Sequence, residues 1–472
     1  MVRTAEQFDL VVIGGGPGGY ASALYGAAAG LQVAVVEKDK VGGTCLHRGC
    51  IPAKEFLETA SVFRHVGAAA EFGVKAGDPS IDFSVSQARK QKVVDQLHKG
   101  LSGLMKRRKI TVIHGTGVLH PHHTVKVDDG SELKGRYVIL AAGSVPKTIP
   151  GFELDGTTVV SSDEFLSWDH LPASAAVIGA GPIGCEFAST MVDLGVEVTL
   201  LEALPKILPG CDRDVADVVV RSFKKRGIDI RTDVSVKGHT PGKGGTAVHI
   251  DGADVDVVVD VVVVAVGRRP CSDGMVGDGL GVEVDDRGFV RVDDYLQTGD
   301  SGTYAVGDLI AVPSVPVHPQ LAHVGFAEGI AAIKHMLGEP VVPIDYGRVP
   351  WCIYSHPEVA FAGMSEDGAE EAGIDVVTTK HPFAGNGRAM ILGETEGLVK
   401  VIAAKDRDGR AGQVLGVHMA GPWVTEQLGQ AYLAVNWEAS VDEIAQFIQP
   451  HPTLSELFGE SAMSLTGRGL HG

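Results

Sequence analysis

The sequence Gly14-Gly15-Gly16-Pro17-Gly18-Gly19 has the spacing G-x-G-x-x-G and follows a β-rich run, Asp9 to Ile13. A helix of small residues is predicted from Tyr20 to Ala29, and a second strand, Val33 to Val36, ends at Glu37. Glycines at this spacing let the backbone approach a pyrophosphate at a helix N-terminus, and a carboxylate after the second strand binds a ribose hydroxyl. This stretch therefore predicts a dinucleotide-binding βαβ motif. Its binding residues would be Gly14, Gly16, Gly19 and Glu37.

The same pattern occurs a second time in the chain. Ala175 to Ile178 leads into Gly179-Ala180-Gly181-Pro182-Ile183-Gly184, a helix is predicted from Cys185, and the strand Val196 to Leu201 ends at Glu202. Two complete motifs indicate two dinucleotides. The carboxylate of Glu202 would repel a 2′-phosphate and no Arg stands beside it in the sequence, so we expect NAD rather than NADP at the second site. The residues expected to bind it are Gly179, Gly181, Gly184 and Glu202.

A pair of cysteines follows the first motif, in Cys45-Leu46-His47-Arg48-Gly49-Cys50. A disulfide that closes so short a loop removes little entropy from the unfolded chain, so it is a weak structural cross-link and a good redox couple. Pro52 follows and predicts a helix through Ala60 with proline in its first turn. Cys50 would lie at the N-terminus of that helix, where thiolate is favoured, and Cys45 in the loop before it.

Length, charge and cysteine content limit the class of protein. A chain of 472 residues with 44% hydrophobic residues can bury a large core and should form several domains. A formal charge of -18 argues against binding to nucleic acid or to an anionic membrane. We expect the one dense basic run, Lys106 to Lys109, to be a solvated helix end.

Six cysteines are too few for a secreted disulfide framework and indicate a reducing compartment. The first strand begins close to Met1 and leaves no room for a targeting peptide, so a cytoplasmic or already mature chain is expected. The longest apolar run, Val255 to Val266, is too short to span a bilayer and predicts a buried strand. No metal site is predicted. The remaining cysteines are expected to be packing or surface residues: Cys185, Cys211, Cys271 and Cys352.

Three further segments lie where predicted strands end. Tyr137 to Ser144 and Val261 to Val266, the latter followed by Gly267, could each bring the chain back across a nucleotide-binding sheet. Tyr304-Ala305-Val306-Gly307-Asp308 ends in an acidic residue. Asp308 is a candidate ligand for a flavin ribityl chain.

With these features the chain resembles the pyridine nucleotide-disulfide oxidoreductases over essentially its whole length. The resemblance is carried by Gly42 to Pro52, by Tyr304 to Asp308, and by Gln449-Pro450-His451-Pro452-Thr453-Leu454-Ser455-Glu456. It is greatest to the family members that oxidise protein-bound dihydrolipoamide with NAD through FAD and a redox-active disulfide. It implies an α/β fold with two Rossmann-like FAD- and NAD-binding domains and a C-terminal α+β dimerisation domain. The implied boundaries are 1–150 and 276–347 for the FAD domain, 151–275 for the NAD domain and 348–472 for the dimerisation domain.

The resemblance also implies roles for individual residues. Cys45 would exchange with the substrate and Cys50 would lie against the flavin. Lys54 would lie by the flavin N5 edge and pair with Glu186, which would approach the nicotinamide. His451 would be the catalytic base, oriented by Glu456 and acting at the partner subunit's active site in a homodimer. Gln320 stands where the family usually has Met. The other implied contacts are, for FAD, Gly117, Ala142, Gly143, Ser144, Gln320, Leu321, Ala322 and His323, and, for NAD, Val234 and Gly267.

Other activities of the same family are the alternatives. Glutathione and related reductases usually carry Arg after the second nucleotide-binding strand, where this chain has Glu202-Ala203-Leu204-Pro205. Mercuric reductases carry a C-terminal cysteine pair, which Gly467 to Gly472 lacks, and a transhydrogenase would lack the Cys45–Cys50 pair. A non-catalytic flavoprotein subunit of a multienzyme complex would not need the intact cysteines and base. The implied partner is a lipoylated protein of a 2-oxo acid dehydrogenase or glycine cleavage complex, with its subunit-binding domain.

Overall fold

The computed structural model describes residues 6–252 and 255–471. These residues divide into two compact units. The first unit comprises the described parts of Met1–Glu55, Ser84–Lys147 and Gly267–Tyr346, and the second those of Phe56–Phe83, Thr148–Val266 and Gly347–Gly472. The four predicted domain segments remain a prediction.

The described residues contain both helices and strands in alternation. The α-helices are α1 Pro17–Ala28, α2 Gly43–Arg48, α3 Cys50–Gly67, α4 Phe83–Arg107, α5 Ser162–Phe165, α6 Pro182–Asp193, α7 Arg213–Lys225, α8 Ala322–Met336, α9 Glu366–Glu371, α10 Gly387–Leu392, α11 Val424–Asn436, α12 Val441–Ala445 and α13 Glu456–Leu465. Short 3₁₀ turns occur at Ala69–Phe72, Gly307–Leu309, Tyr346–Arg348 and Phe383–Gly385. The strands are β1 Glu6–Ile13, β2 Val33–Glu37, β3 Thr111–His114, β4 Gly117–His120, β5 Thr124–Val127, β6 Glu132–Leu140, β7 Ser144–Pro146, β8 Val159–Val160, β9 Ser174–Ile178, β10 Glu197–Leu201, β11 Asp229–Arg231, β12 Val236–Gly242, β13 Gly245–Ile250, β14 Val257–Val259, β15 Val261–Val264, β16 Arg268–Pro270, β17 Val290–Arg291, β18 Thr303–Ala305, β19 Ile310–Ala311, β20 Trp351–Ile353, β21 Glu358–Gly363, β22 Val376–Pro382, β23 Leu398–Lys405 and β24 Ala411–Gly421.

The main sheet of the first unit has the strand order β3-β2-β1-β6-β5-β4, and β18 also pairs with β6. β1, β2, β3, β6 and β18 are parallel, and β4 and β5 extend the sheet in antiparallel fashion. Leu10 of the central strand β1 lies opposite Val33 on one side and Tyr137 on the other. Leu10, Val11 and Val12 are fully buried, as expected for a parallel strand covered on both faces.

The nucleotide-binding sheet of the second unit is parallel, in the order β11-β10-β9-β15-β8. The prediction of one strand from Val255 to Val266 is wrong, because this run forms β14 in a small antiparallel sheet and β15 in the parallel sheet. Asp260 interrupts it, and its carboxylate accepts hydrogen bonds from the amides of Ala173 (2.9 Å) and Ser174 (3.0 Å). A polar residue that satisfies two backbone donors thus separates the strands.

The C-terminal part of the second unit contains an antiparallel sheet, in the order β20-β21-β24-β23-β22. Val399 and Val401 of β23 form its core with Leu428 of α11 and Phe458 of α13. The predicted α/β fold, with two Rossmann-like sheets and a C-terminal α+β region, is confirmed. Lys106 to Lys109 is exposed at the end of α4, also as predicted. No helix within the two described ranges is long and apolar enough to cross a membrane.

Candidate active site

The first glycine loop connects β1 to α1. Gly14 has φ 106°, and a side-chain carbon there would lie 2.2 Å from the carbonyl oxygen of Ala141, so only glycine fits. A carbon on Gly19 would lie 1.9 Å from the Gly14 carbonyl oxygen. Gly16 is the N-cap of α1, with Pro17 behind it and no capping side chain. The first amides of the helix are therefore open to a phosphate, and the loop fits a dinucleotide.

The second glycine loop repeats this geometry between β9 and α6. Gly179 has φ 101°, and a carbon on Gly184 would lie 1.9 Å from the Gly179 carbonyl oxygen. Gly181 is the uncapped N-cap of α6, and a side chain there would meet nothing within 4 Å. The space in front of this helix is open, so the second loop also fits a dinucleotide.

The two predicted ribose carboxylates are held in the same way. Glu37 accepts hydrogen bonds from the amides of Gly15 (2.7 Å) and Asp39 (2.8 Å). Glu202 accepts them from the amides of Ala180 (2.6 Å) and Leu204 (2.9 Å). Each carboxylate is thus fixed by its own glycine loop and by the turn that follows its strand.

Strand pairing brings Arg231 beside Glu202, where the sequence shows no Arg. The Glu202 amide donates to the Arg231 carbonyl (2.9 Å), and the Arg231 guanidinium pairs with Asp229 (2.8 Å). Val234 lies near the same point, because its amide donates to the Glu202 carbonyl (3.1 Å). Arg231 is therefore neutralised by a carboxylate on its own strand.

Asp308 belongs to a polar cluster in the first unit. Its carboxylate accepts a hydrogen bond from the Ser144 hydroxyl (2.6 Å). Arg268 donates to the Ser144 hydroxyl and to its carbonyl, both at 2.7 Å. The sequence analysis missed Arg268, which the antiparallel pairing of β16 with β7 brings to Ser144. Its position directly after Gly267 was the available signal.

The other predicted cofactor residues lie at strand ends and at one helix start. Gly117 begins β4, and Ala142 and Gly143 follow β6, where the Gly143 carbonyl accepts from the amide of Cys271 (2.9 Å). The carbonyl of Gly267 accepts from the Lys147 amide (2.9 Å). The uncapped N-terminus of α8 contains the last predicted flavin contacts: Gln320, Leu321, Ala322 and His323.

The cysteine pair lies at the junction of two helices. Cys50 is the first residue of α3, as predicted. Cys45 lies within the short helix α2 and not in a loop, which corrects the prediction; Gly42 (φ 112°) and Gly49 flank this helix. Both cysteines are partly exposed. Lys54 lies one helical turn after Cys50.

The surroundings of the cysteine pair raise the pKa values of the Cys45 thiol and of the Tyr20 phenol. The hydrogen bond that the Cys45 thiol donates to the Cys50 sulfur, together with burial, raises the pKa of Cys45 well above its usual value. Tyr20 of α1 is near both cysteines, and burial, followed by their charges, raises its pKa to about 12. Tyr20 therefore stays a neutral phenol at physiological pH.

Two histidines hold the loop that leads to Cys45. His47 Nε2 lies 3.0 Å and His98 Nδ1 3.1 Å from the carbonyl oxygen of Val41, and their rings meet edge-on at 5.1 Å. Burial lowers the pKa of His47, and the charge of His98 adds to this effect. His98 was missed because it lies on α4, far away in sequence. The two rings link α2 to α4.

Glu186 lies on α6 near its N-terminus and is buried. One carboxylate oxygen accepts from the Tyr354 amide (2.9 Å), and two residues later the His356 amide donates to the Ser189 hydroxyl (2.9 Å). Neither Tyr354 nor Ser189 was anticipated. The pairing of Glu186 with Lys54 remains a prediction.

The predicted base and its orienting carboxylate are in contact. His451 Nδ1 lies 2.9 Å from Glu456, the first residue of α13. Asn386 donates to the other oxygen of Glu456 (3.2 Å) and was missed by the sequence analysis. The imidazole is exposed and lines a cavity of about 690 Å³. A carboxylate on Nδ1 fixes the tautomer and leaves Nε2 for proton transfer.

Comparison with known proteins extends these observations. Residues 8–329 match the family described as pyridine nucleotide-disulphide oxidoreductase, and residues 349–462 match the dimerisation domain of that family. The chain belongs to the pyridine nucleotide-disulphide oxidoreductases. Because the match includes the dimerisation domain, it supports the predicted homodimer of this oxidoreductase.

Individual relatives of this pyridine nucleotide-disulphide oxidoreductase cover nearly its full length. A dihydrolipoyl dehydrogenase of Bacillus subtilis is 40% identical, over 99% of this chain and 100% of the relative. A dihydrolipoyl dehydrogenase of Haloferax volcanii is 38% identical, over 99% and 98%. Among solved structures, LpdA from Mycobacterium tuberculosis superposes with a TM-score of 0.88 at 26% identity, covering 98% of this chain and 100% of LpdA.

Proposed function

We propose that this protein is a dihydrolipoyl dehydrogenase, an FAD-dependent enzyme that oxidises protein-bound dihydrolipoamide to lipoamide and reduces NAD to NADH. The observation that carries this proposal is the Cys45–Cys50 pair at the junction of α2 and α3, in the same unit as the first glycine loop. The full-length relatives with this name support it.

The residues present fit both cofactors. The first glycine loop, Glu37 and the Asp308 cluster would hold FAD, and the second glycine loop with Glu202 would hold NAD. When bound, FAD supplies two-electron transfer between a dithiol and the nicotinamide. The protein contributes the binding, the proton transfer and the exclusion of NADP.

The dithiol reaction is assigned to the two cysteines and the base. Nε2 of His451 takes a proton from one substrate thiol, and the resulting thiolate attacks the sulfur of Cys45 in the oxidised pair, which releases Cys50 as thiolate. The second substrate sulfur then attacks the first substrate sulfur of the mixed disulfide, which breaks its bond to Cys45, and its proton passes to the departing Cys45 sulfur. Lipoamide leaves with its new S–S bond, and Cys45 and Cys50 remain as the reduced pair.

Glu456 and the dimer complete the site. The carboxylate of Glu456 stabilises the imidazolium that forms on His451 when the proton arrives. His451 would act on the cysteines of the partner subunit, so that one active site needs two chains. The protein partner would be the lipoylated component of a 2-oxo acid dehydrogenase or glycine cleavage complex, with its subunit-binding domain.

The test is a comparison of substrates. The purified holoenzyme should form NADH from NAD and dihydrolipoamide, and should do so faster than it oxidises NADPH with glutathione disulfide. Turnover of glutathione disulfide with NADPH in the absence of lipoamide activity would revive the glutathione reductase alternative. Bound FAD with neither activity would favour a non-catalytic flavoprotein subunit.

A further inference from the structure

A fully buried carboxylate, Glu328 of α8, binds three donors from three segments. One oxygen accepts from the Gly307 amide (2.6 Å). The other accepts from the Tyr346 hydroxyl (2.8 Å) and lies 2.7 Å from Nε2 of His318. Burial of a carboxylate is costly unless donors replace water, and Glu328 has three.

The hydrogen bonds of His318 fix the orientation of its ring. This ring is also buried, and its Nδ1 accepts from the Gln320 amide (3.1 Å). Because Nδ1 accepts, Nε2 donates to Glu328. His318 therefore connects the Glu328 carboxylate to the Gln320 amide.

These bonds reach the two segments that are expected to contact the flavin. Gly307 directly precedes Asp308, the candidate ribityl ligand, and Gln320 precedes the start of α8. Gln320 has φ 53°, a left-handed conformation that is unfavourable for its side chain and needs support from its surroundings. The bond from its amide to His318 provides that support. Glu328 and His318 therefore join both segments in one hydrogen-bonded group.

We propose that Glu328 and His318 are positioning residues for FAD, which keep the Asp308 and Gln320 segments in the FAD-binding conformation. This inference rests on the FAD site of the proposed function. It does not depend on the dithiol substrate.

Tyr346 completes the same hydrogen-bonded group. Its ring meets His318 edge-on at 5.6 Å. Burial and the charge of Glu328 raise the pKa of Tyr346, so its hydroxyl remains a donor to Glu328 at neutral pH.

The test measures the Kd for FAD at pH 7, by release of fluorescent FAD from the holoenzyme without any dithiol substrate. His318→Phe keeps an aromatic ring but removes both hydrogen bonds of the imidazole, so its Kd should rise by about tenfold to a hundredfold. His318→Asn keeps an acceptor for the Gln320 amide, so its Kd should rise less. His123→Gln, in a histidine of the same unit that bonds the Ser301 carbonyl (2.8 Å), is the control and should behave as wild type.

A second variant tests the carboxylate. Glu328→Gln should raise the Kd for FAD at pH 7 by about tenfold to a hundredfold, because one acceptor of the network becomes a donor. An unchanged Kd in His318→Phe or in Glu328→Gln would overturn the proposal. Because FAD release is measured directly, loss of lipoamide activity alone would count against the proposed function and not against this inference.

Discussion

Replacing Glu202 with Gln should increase the use of NADP relative to NAD. The carboxylate is largely buried and is held by the amides of Ala180 (2.6 Å) and Leu204 (2.9 Å), so it cannot swing away from a 2′-phosphate. Two unit charges about 4 Å apart at an effective dielectric constant of about 20 repel each other by about 4 kcal/mol. This energy corresponds to about a thousandfold discrimination in kcat/KM.

The Glu202→Gln variant should regain much of the kcat/KM for NADP that this repulsion removes. Gln retains one oxygen acceptor, so one of the two amides loses its partner at a cost of about 1–3 kcal/mol, and kcat/KM for NAD should fall about tenfold or more. Because the Arg231 guanidinium beside this site already pairs with Asp229, NADP should improve without overtaking the wild-type rate with NAD. The kcat/KM ratio of NADP to NAD should therefore rise by about a hundredfold to a thousandfold.

The assay measures kcat/KM for both nucleotides in wild type, Glu202→Gln and Glu37→Gln. Glu37 accepts the same two kinds of backbone hydrogen bond at the first glycine loop, so it is a matched control. Glu37→Gln should weaken FAD retention and leave the nucleotide ratio unchanged. An unchanged ratio in Glu202→Gln, or equal use of both nucleotides by wild type, would refute the electrostatic reasoning.

Three further predictions follow from the second unit and the dimer. Lys400→Met should lower the free energy of unfolding by about 3–5 kcal/mol in urea titrations, because it leaves three carboxylates around a buried position without their cation. Lys380 is exposed, so Lys380→Met should lower the free energy of unfolding by less than about 1 kcal/mol. Burial, with nearby positive charges, lowers the pKa of His356 from 6.5 to about 3, so the neutral ring contributes stability that is present above about pH 6.5 and is lost as the pH falls towards 3. His356→Gln should remove about 4 kcal/mol of that pH dependence in unfolding measurements, and an unchanged slope would contradict the assignment. Mixing inactive Cys45→Ser and His451→Ala subunits should restore about one quarter of wild-type activity, since half of the dimers are mixed and each has one intact site, whereas no recovery after exchange would refute a shared site.

The local parts of the site could be predicted from the sequence. Each glycine loop and the start of α3 at Cys50 depend on residues a few positions apart. Glu37 and Glu202 each bond to a loop amide 22 positions away, within one βαβ motif. His451 and Glu456 are separated by only five positions, and the structure places them 2.9 Å apart. Short-range geometry of this kind follows from the residue types themselves.

The partners that orient these groups could not be predicted. Arg268 reaches Ser144 across 124 positions, and Tyr354 reaches Glu186 across 168. Such contacts depend on strand pairing and packing, which the residue pattern at either end does not specify. Asp260 shows the same limit, because its role in dividing the apolar run comes from amides 86 and 87 positions away.

The most direct test of the central claim is a count of the thiols that the substrate generates. The oxidised holoenzyme is incubated with dihydrolipoamide in the absence of NAD, alkylated, and analysed by peptide mass spectrometry. Cys45 and Cys50 should become alkylated together. Excess NAD added before the alkylating agent should prevent their labelling. Labelling of Cys271 and Cys352, which are also partly exposed, should not change. If dihydrolipoamide leaves Cys45 and Cys50 unlabelled, or labels other cysteines instead, the pair does not carry electrons between the dithiol and NAD.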